Sequence, residues 1–227
     1  MEERCISVKK KAFVTKVRPG SISEAIKNKL EELGFVVITP DDNWDIREGY
    51  PFPNDCQVMV NTAGVTDTAK PEEWDWEKAN KVISVNLTGA AVLTSDFVKA
   101  TAGTPWVKTI IHLGSLWSRK HATNSAIYCA SKAGLAHYVA CMGYDLNLHH
   151  PGEYTIIGLH PGNVQGTPMT KKVKSKLITE RGFTMEQVET LYKGAITPAD
   201  IADVVEKVLG NQWLNGENIY LPNGDKR

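Results

Sequence analysis

A phenol and an ammonium stand four positions apart in Tyr128-Cys129-Ala130-Ser131-Lys132. On a helix that spacing puts both on one face, one turn from each other. A lone phenol, with a pKa of about 10, keeps its proton at neutral pH, whereas a cation fixed beside it favours the phenolate. Tyr128 could then trade a proton with a substrate oxygen. A Tyr and a Lys so spaced also occur on ordinary exposed helices, so the pentad alone selects no function and its surroundings must decide. Ser115, thirteen residues upstream of Tyr128, follows the apolar run Val107 to Leu113, and Asn86 lies farther back in Val85-Asn86-Leu87-Thr88-Gly89.

The set Asn86, Ser115, Tyr128 and Lys132, in this order and spacing, resembles the short-chain dehydrogenase/reductase family, and further matches carry the resemblance over nearly the whole chain. It implies an oxidoreductase that moves a hydride between a nicotinamide cofactor and a carbonyl or secondary alcohol. Tyr128 would be the general acid or base, Lys132 would lower its pKa and bond the cofactor ribose, and Ser115 would orient the reacting oxygen. Asn86 would hold a water that feeds protons toward the lysine. As a poor helix former inside a helical stretch, Asn86 also predicts a local distortion.

The elements that must position these groups read as an α/β, single-domain, Rossmann-like, doubly wound parallel sheet. Ala12-Phe13-Val14-Thr15 is short, apolar and β-prone. Ser21-Ile22-Ser23-Glu24 then opens a helix with Ile22, Ile26, Leu30 and Leu33 on one side, and Gly34 closes it. Phe35-Val36-Val37-Ile38 follows as a buried strand, completing a strand, helix, strand unit. Strands are also predicted over 107–113, with Gly114-Ser115 at its carboxyl edge where open α/β sheets place ligands, and over 154–159 and 218–221. Pro71-Glu72-Glu73 reads as a helix start, and an amphipathic stretch runs from there to about Ala100.

In this fold the first strand-to-helix turn carries pyrophosphate on the helix N-terminus. The family pattern Thr-Gly-x-x-x-Gly-x-Gly meets here Thr15-Lys16-Val17-Arg18-Pro19-Gly20-Ser21-Ile22-Ser23, with Lys16 in the first glycine place, one extra residue, and only Gly20 kept. Two readings stand: a remodelled turn in which Lys16, Arg18 and the Ser21 hydroxyl hold the phosphates, or a turn that no longer binds a dinucleotide. Asp41, after the second strand, would accept from the adenosine ribose and repel a 2′-phosphate, which favours NAD slightly, while Lys16 and Arg18 point to NADP.

About twenty residues separate Asp41 from Asn61, too few for the helix, strand and helix the family fits there, since one crossover alone takes a dozen or more. The third strand and its flanking helices are therefore predicted shortened or missing, leaving about six strands. Asp45-Ile46 would be a remnant of the adenine-contacting strand end. Asn61-Thr62-Ala63-Gly64 is one residue from the family's Asn-Asn-Ala-Gly, whose small residues let the cofactor ribose lie against the backbone. His160-Pro161-Gly162-Asn163-Val164 matches the Pro-Gly turn under the nicotinamide. Thr167, one residue later than usual, would meet the carboxamide and phosphates. The resemblance thus assigns Thr15, Arg18, Gly20, Ser21, Ile22, Asp41, Asn61, Ala63, Gly64, Tyr128, Lys132, Pro161, Gly162, Val164 and Thr167 to the cofactor. His112 lies inside a strand and reads as a paired core histidine.

Lysine plus arginine equals aspartate plus glutamate at 26 each, which leaves no basic surplus to draw nucleic acid or an anionic membrane. A small neutral molecule is the expected partner. Cys5, Cys56, Cys129 and Cys141 show no metal-type clustering and no disulfide framework. No run reaches the roughly 18 apolar residues of a membrane helix, and the start Met-Glu-Glu-Arg-Cys is acidic, so a cytoplasmic protein with reduced thiols is expected. Residues 170–195, with Lys171, Lys172, Lys174 and Lys176, fall where relatives carry a mobile substrate lid, although a lysine run is usually a solvated face. Ala130, Ala133, Gly134, Ala136 and Ala140 permit close approach, either of the protein's own sheet or of a second subunit as in the family's dimers and tetramers. The competing class is a non-catalytic binding or regulatory protein on the same fold.

Overall fold

The computed structural model describes residues 10–179 and 182–223. Cys5 and the acidic start lie outside the described residues. Six strands form one sheet, β1 (Lys11–Val14), β2 (Val36–Ile38), β3 (Cys56–Asn61), β4 (Lys108–Leu113), β5 (Tyr154–Pro161) and β6 (Asn218–Leu221), in the order β2-β1-β3-β4-β5-β6. Every neighbouring pair is parallel.

Strand side chains alternate between two apolar layers, as a sheet covered on both faces requires. Ala12, Val14, Val58, Val60, Ile111 and Ile157 pack on one face against α1 (Ile22–Glu32) and α7 (Pro198–Val208). Phe13, Met59, Ile110 and Ile156 point the other way, toward α3 (Gly89–Thr101) and α4 (Ala126–His149). Leu93 and Phe97 of α3 and Val139 and Leu146 of α4 are their buried partners on that face.

No third strand lies between β2 and β3, as the short spacing demanded; β2 is the sheet edge. The segment 41–55 covers the sheet with rings instead. Tyr50 and Phe52 lie 4.4 and 4.8 Å from the Phe13 ring, and Phe52 lies 5.2 Å from Phe97, all tilted or edge-on. Trp44 Nε1 donates to Gly49 O at 2.7 Å, and Tyr50 N donates to Asp96 Oδ2 at 3.1 Å.

The helix predicted from Pro71 begins later. Residues Pro71–Glu73 form one 3-10 turn, Trp74 is extended, and Asp75 caps α2 (Trp76–Ile83) by accepting from Lys78 N at 2.8 Å. Proline tolerates a first turn, but the carboxylate of Asp75 is the stronger start signal. The predicted distortion at Asn86 is a π-helical turn, Ser84–Thr88, joining α2 to α3. Downstream, α5 (Pro168–Thr179) and α6 (Met185–Leu191) occupy the region assigned to the lid, joined by a Lys174–Glu189 ion pair at 2.9 Å. Among the described residues no helix is long and apolar enough to cross a membrane.

Candidate active site

Four elements converge where β3 and β4 end. α4 carries Tyr128 and Lys132, β4 runs into Ser115, the π turn presents Asn86, and the loop after β3 brings Gly64. Lys132 is 3% exposed, and its Nζ donates to Leu113 O at 2.9 Å. A Cβ on Gly64 would stand 3.4 Å from that Nζ and 3.5 Å from Asn86 Oδ1, so the bare glycine backbone faces both groups. Burial holds the Lys132 ammonium down to about 8.

The half-buried Tyr128 lies in the neighbourhood of Ser115, whose side chain acts on its phenol. Burial raises the phenol's pKa, and the Ser115 side chain opposes the rise. Ser115 is itself fixed from two sides: its N–H donates to His160 Nδ1 at 3.2 Å, and its Oγ accepts from Trp117 N at 3.3 Å. Asn86 is buried, accepts from Val65 N at 2.8 Å, and donates to Val65 O and Ser131 Oγ at 2.9 Å each. Its side chain therefore clamps the loop after Gly64 to the helix that bears Tyr128. The π turn aims it, because an extra residue per turn rotates a side chain off the regular helix face.

The nucleotide end is a cavity of about 270 Å³ lined by Lys16, Arg18, Trp44, Asp45, Ile46, Arg47, Ala63, Gly64, Val65, Lys81 and Val85. Four cations face one carboxylate there. Arg47 bonds Asp45 through two nitrogens at 2.6 and 2.9 Å, which together with Lys16 holds the Asp45 carboxyl down to about 2. Lys16 has φ 47°, left-handed backbone that suits the glycine usual at this place. Ser21 caps α1 by accepting from Glu24 N at 3.2 Å, and Ser23 Oγ donates to Lys16 O at 3.0 Å. Glu24 reaches back so that Gly20 N donates to its Oε2 at 2.7 Å.

The side chains of several residues assigned to the cofactor have partners within the protein. Thr15 is wholly buried, and its Oγ1 accepts from Thr62 N and Ala63 N at 2.7 and 3.0 Å, tying β1 to the end of β3. Asn61 accepts from Ala63 N and pairs its Nδ2 with His112 Nδ1. Asp41 Oδ1 accepts from Asn43 N and Trp44 N at 2.8 and 3.0 Å, and the residue does not line the cavity. Ile22 packs beside the core under α1. Pro161 ends β5, and Gly162 lies so close to Asn223 that a Cβ would meet its Oδ1 at 2.5 Å. Val164 bridges to Ile196, and the Thr167 hydroxyl bonds Thr170 N and Oγ1 at the start of α5. His112 is the core histidine expected: its Nε2 pairs with Thr94 Oγ1 at 2.9 Å, and burial pushes it down to about 3.

Trp44, Arg47 and Lys81 were not singled out in the sequence, because loop and helix residues far apart along the chain meet at the cavity only after folding. Of these, only Trp44 and Arg47 stood beside a marked pair, Asp45-Ile46.

The cavity suits a dinucleotide on these observations. A buried ammonium without a carboxylate partner among the described residues sits against Gly64, the Ala63–Gly64 backbone lines the space, and cations dominate its nucleotide end. Lys16, Arg18, Arg47 and Lys81 would hold phosphates, Trp44 would flank the adenine side, and Lys132 would meet the ribose near Gly64. Glu24 runs against this fit at one amide, that of Gly20.

Comparison with known proteins agrees. The human (3R)-3-hydroxyacyl-CoA dehydrogenase is 29% identical over 178 residues, 76% of this chain and 64% of its own. A 3-oxoacyl-acyl-carrier-protein reductase of Rickettsia conorii is 25% identical over 216 residues, 89% of this chain and 84% of that one. The chain thus spans less than two thirds of the human relative's length. In fold, a structure of an actinorhodin polyketide ketoreductase with NADPH superposes with a TM-score of 0.81 at 19% identity, covering 95% of this chain and 97% of that one. The aldohexose dehydrogenase of Thermoplasma acidophilum gives 0.78 at 19% identity, covering 95% and 93%. Residues 50–178 match the profile that describes the short chain dehydrogenases, and this stretch holds Gly64, Asn86, Ser115, Tyr128 and Lys132 alike: the chain belongs to that family.

Proposed function

We propose that the protein reduces a small carbonyl compound, or oxidises the matching secondary alcohol, with Tyr128 as the proton-transferring group. The observation that carries this reading is the joint placement of Tyr128 near Ser115 and of a buried Lys132, with no carboxylate partner among the described residues, beside Gly64. A bound nicotinamide dinucleotide would supply the hydride, the part of the chemistry no side chain can perform. Ser115 donates to the substrate oxygen and keeps it within reach of the phenol. Tyr128 gives its proton to that oxygen in reduction and takes it back in oxidation. Lys132, on turning from Leu113 O toward the phenol and the ribose, lowers the phenol's pKa against the effect of burial. Asn86 keeps the loop after Gly64 at a fixed distance from α4.

NADP is the favoured dinucleotide. Asp41, the acid that would repel a 2′-phosphate, turns to its own loop, while Lys16, Arg18, Arg47 and Lys81 stand at the nucleotide end of the cavity. The exposed Ala130, Ala133, Ala140, Tyr144 and Leu148 of α4 support self-association, and α5 with α6 supports a lid over the substrate. The Glu24 carboxylate at Gly20 favours the second reading, a non-catalytic binding protein. Titration with NADPH, followed by its oxidation across a panel of ketones, separates the two. Binding with turnover is expected; no binding at millimolar NADPH sinks the enzyme reading.

A further inference from the structure

Under Ser115 lies a histidine that this proton chemistry does not use. His160 of β5 is wholly buried, and its ring takes room that two glycines leave. A Cβ on Gly114 would come within 2.3 Å of the ring's Nδ1, and one on Gly158 within 2.7 Å of Nε2. Tyr220 stacks on the imidazole at 4.6 Å between centroids, and Arg119 lies 3.7 Å over the Tyr220 ring.

The hydrogen bonds assign the tautomer. Asn218 Nδ2 donates to Ala136 O at 2.9 Å, which turns its Oδ1 toward His160 Nε2 at 2.7 Å. Nε2 therefore carries the hydrogen and Nδ1 accepts. The Ser115 N–H donates to Nδ1 at 3.2 Å, and the Ser118 hydroxyl stands 3.3 Å from the same atom. One imidazole thus links the Ser115 backbone in front to β6 behind, and through Asn218 to α4 one turn beyond Lys132.

We propose that His160 is a positioning residue for Ser115: as the neutral imidazole it holds the Ser115 amide, and on gaining a proton at Nδ1 it exchanges that N–H for the Ser115 carbonyl. The carbonyl oxygen already lies 3.2 Å from Nδ1, so the exchange needs only a shift of the backbone about the Ser115 Cα. That shift moves the Ser115 hydroxyl relative to Tyr128. The charged and titratable groups facing the ring are Lys132 of α4, Arg119 after β4 and Tyr220 of β6. Burial, aided by Lys132 and Arg119, keeps the imidazole below its ordinary range against the Asn218 and Ser115 carbonyl oxygens, so the neutral form prevails at neutral pH.

The assignment rests on the reading of Ser115 and Tyr128 given under Proposed function, and its first test does not need turnover. Histidine-selective nitrogen-15 NMR on the full chain should show the Nε2–H tautomer at neutral pH, with the Ser115 amide proton shifting in acid at the same midpoint as His160. An Nδ1–H tautomer, or a Ser115 amide indifferent to that titration, overturns it. His160→Asn keeps an amide oxygen near the place of Nδ1 and does not titrate. It should hold kcat within about threefold of the parent and lose the acid limb of the kcat profile. His160→Phe, with no acceptor, should lose about 10- to 100-fold in kcat with little change in KM for NADPH. An unchanged acid limb in His160→Asn overturns the proposal. Should the parent reduce no carbonyl at all, the oxidoreductase reading fails, while the tautomer and the coupled Ser115 shift still decide the role of His160.

Discussion

The catalytic and nucleotide ends of the cleft are held by bonds of different reach. At the catalytic end the anchors join distant parts of the chain: Asn86 to Ser131, Ser115 to His160, and Asn218 to Ala136. At the nucleotide end most of them are local, Ser21 to Arg18, Ser23 to Lys16, Gly20 to Glu24, Asp41 to Asn43 and Asp45 to Arg47, and Thr15 supplies the long-range tie to Thr62 and Ala63. A change in a long-range anchor disturbs two strands or a strand and a helix. A local anchor can be rebuilt without touching the sheet. The glycine turn beyond Thr15 and the third strand are the parts that differ from the family pattern, and both lie where the bonding is mostly local.

Mutation can break this contrast or sharpen it. The largest effect is expected from Tyr128→Phe, which should lower kcat about 10³-fold while NADPH affinity stays within about twofold, since one positioned acid contributes on the order of 10²–10⁴. Steady-state turnover and a separate NADPH titration check it, and near-parent turnover would remove the phenol from the mechanism.

Lys132→Met comes next and carries an opposite sign for stability. Burial lowers the folded ammonium from 10.5 to about 8, a penalty on the order of 3 kcal/mol at neutral pH. The unfolded chain then binds more protons than the folded one from about pH 8 to 10.5, so this group makes stability rise with pH across that window. Urea unfolding at a series of pH values should find the Met variant more stable at neutral pH, lacking that rise, and nearly inactive. A variant less stable at neutral pH would refute the unpaired buried charge.

At the nucleotide end the effects should be smaller. Lys81→Ala should weaken NADPH binding about five- to tenfold and NADH binding less, as the loss of one charge-assisted phosphate contact predicts. Equal losses for the two cofactors would argue against a 2′-phosphate near Lys81. Glu24→Gln removes a negative charge from the first turn of α1, and should tighten either dinucleotide about two- to fivefold by the size of helix-terminus effects. Weaker binding in this variant would mean that the carboxylate builds the turn rather than competing with phosphate.

The same division governs what could be read before folding. Short apolar, β-prone runs placed the strands, and the short interval from Asp41 to Asn61 revealed the missing strand because a crossover has a minimum length. Asn86 announced the π turn, being costly in a regular helix. Tyr128, Lys132 and Ser115 were legible as a spacing, and the fold does bring them together. Thr15, Asn61 and Asp41 were assigned to the cofactor by position, but their side chains satisfy neighbouring backbone amides, a choice set by partners up to 48 residues away. His160 stood in view beside Pro161 and Gly162, yet its partners Ser115 and Asn218 are 45 and 58 residues distant. Ser21-Ile22-Ser23-Glu24 was legible as a helix start, yet the donor that Glu24 takes is Gly20 N, just outside that stretch.

Without an outer neighbour among the described residues, β2 leaves Val36 42% exposed and the strand's margin open to solvent. Such margins invite stray chains to pair with them, and proteins commonly blunt them by keeping them short. At three residues, Val36–Ile38 presents too brief a template for a lasting intermolecular ladder. The brevity of this edge therefore keeps the hazard of clumping small.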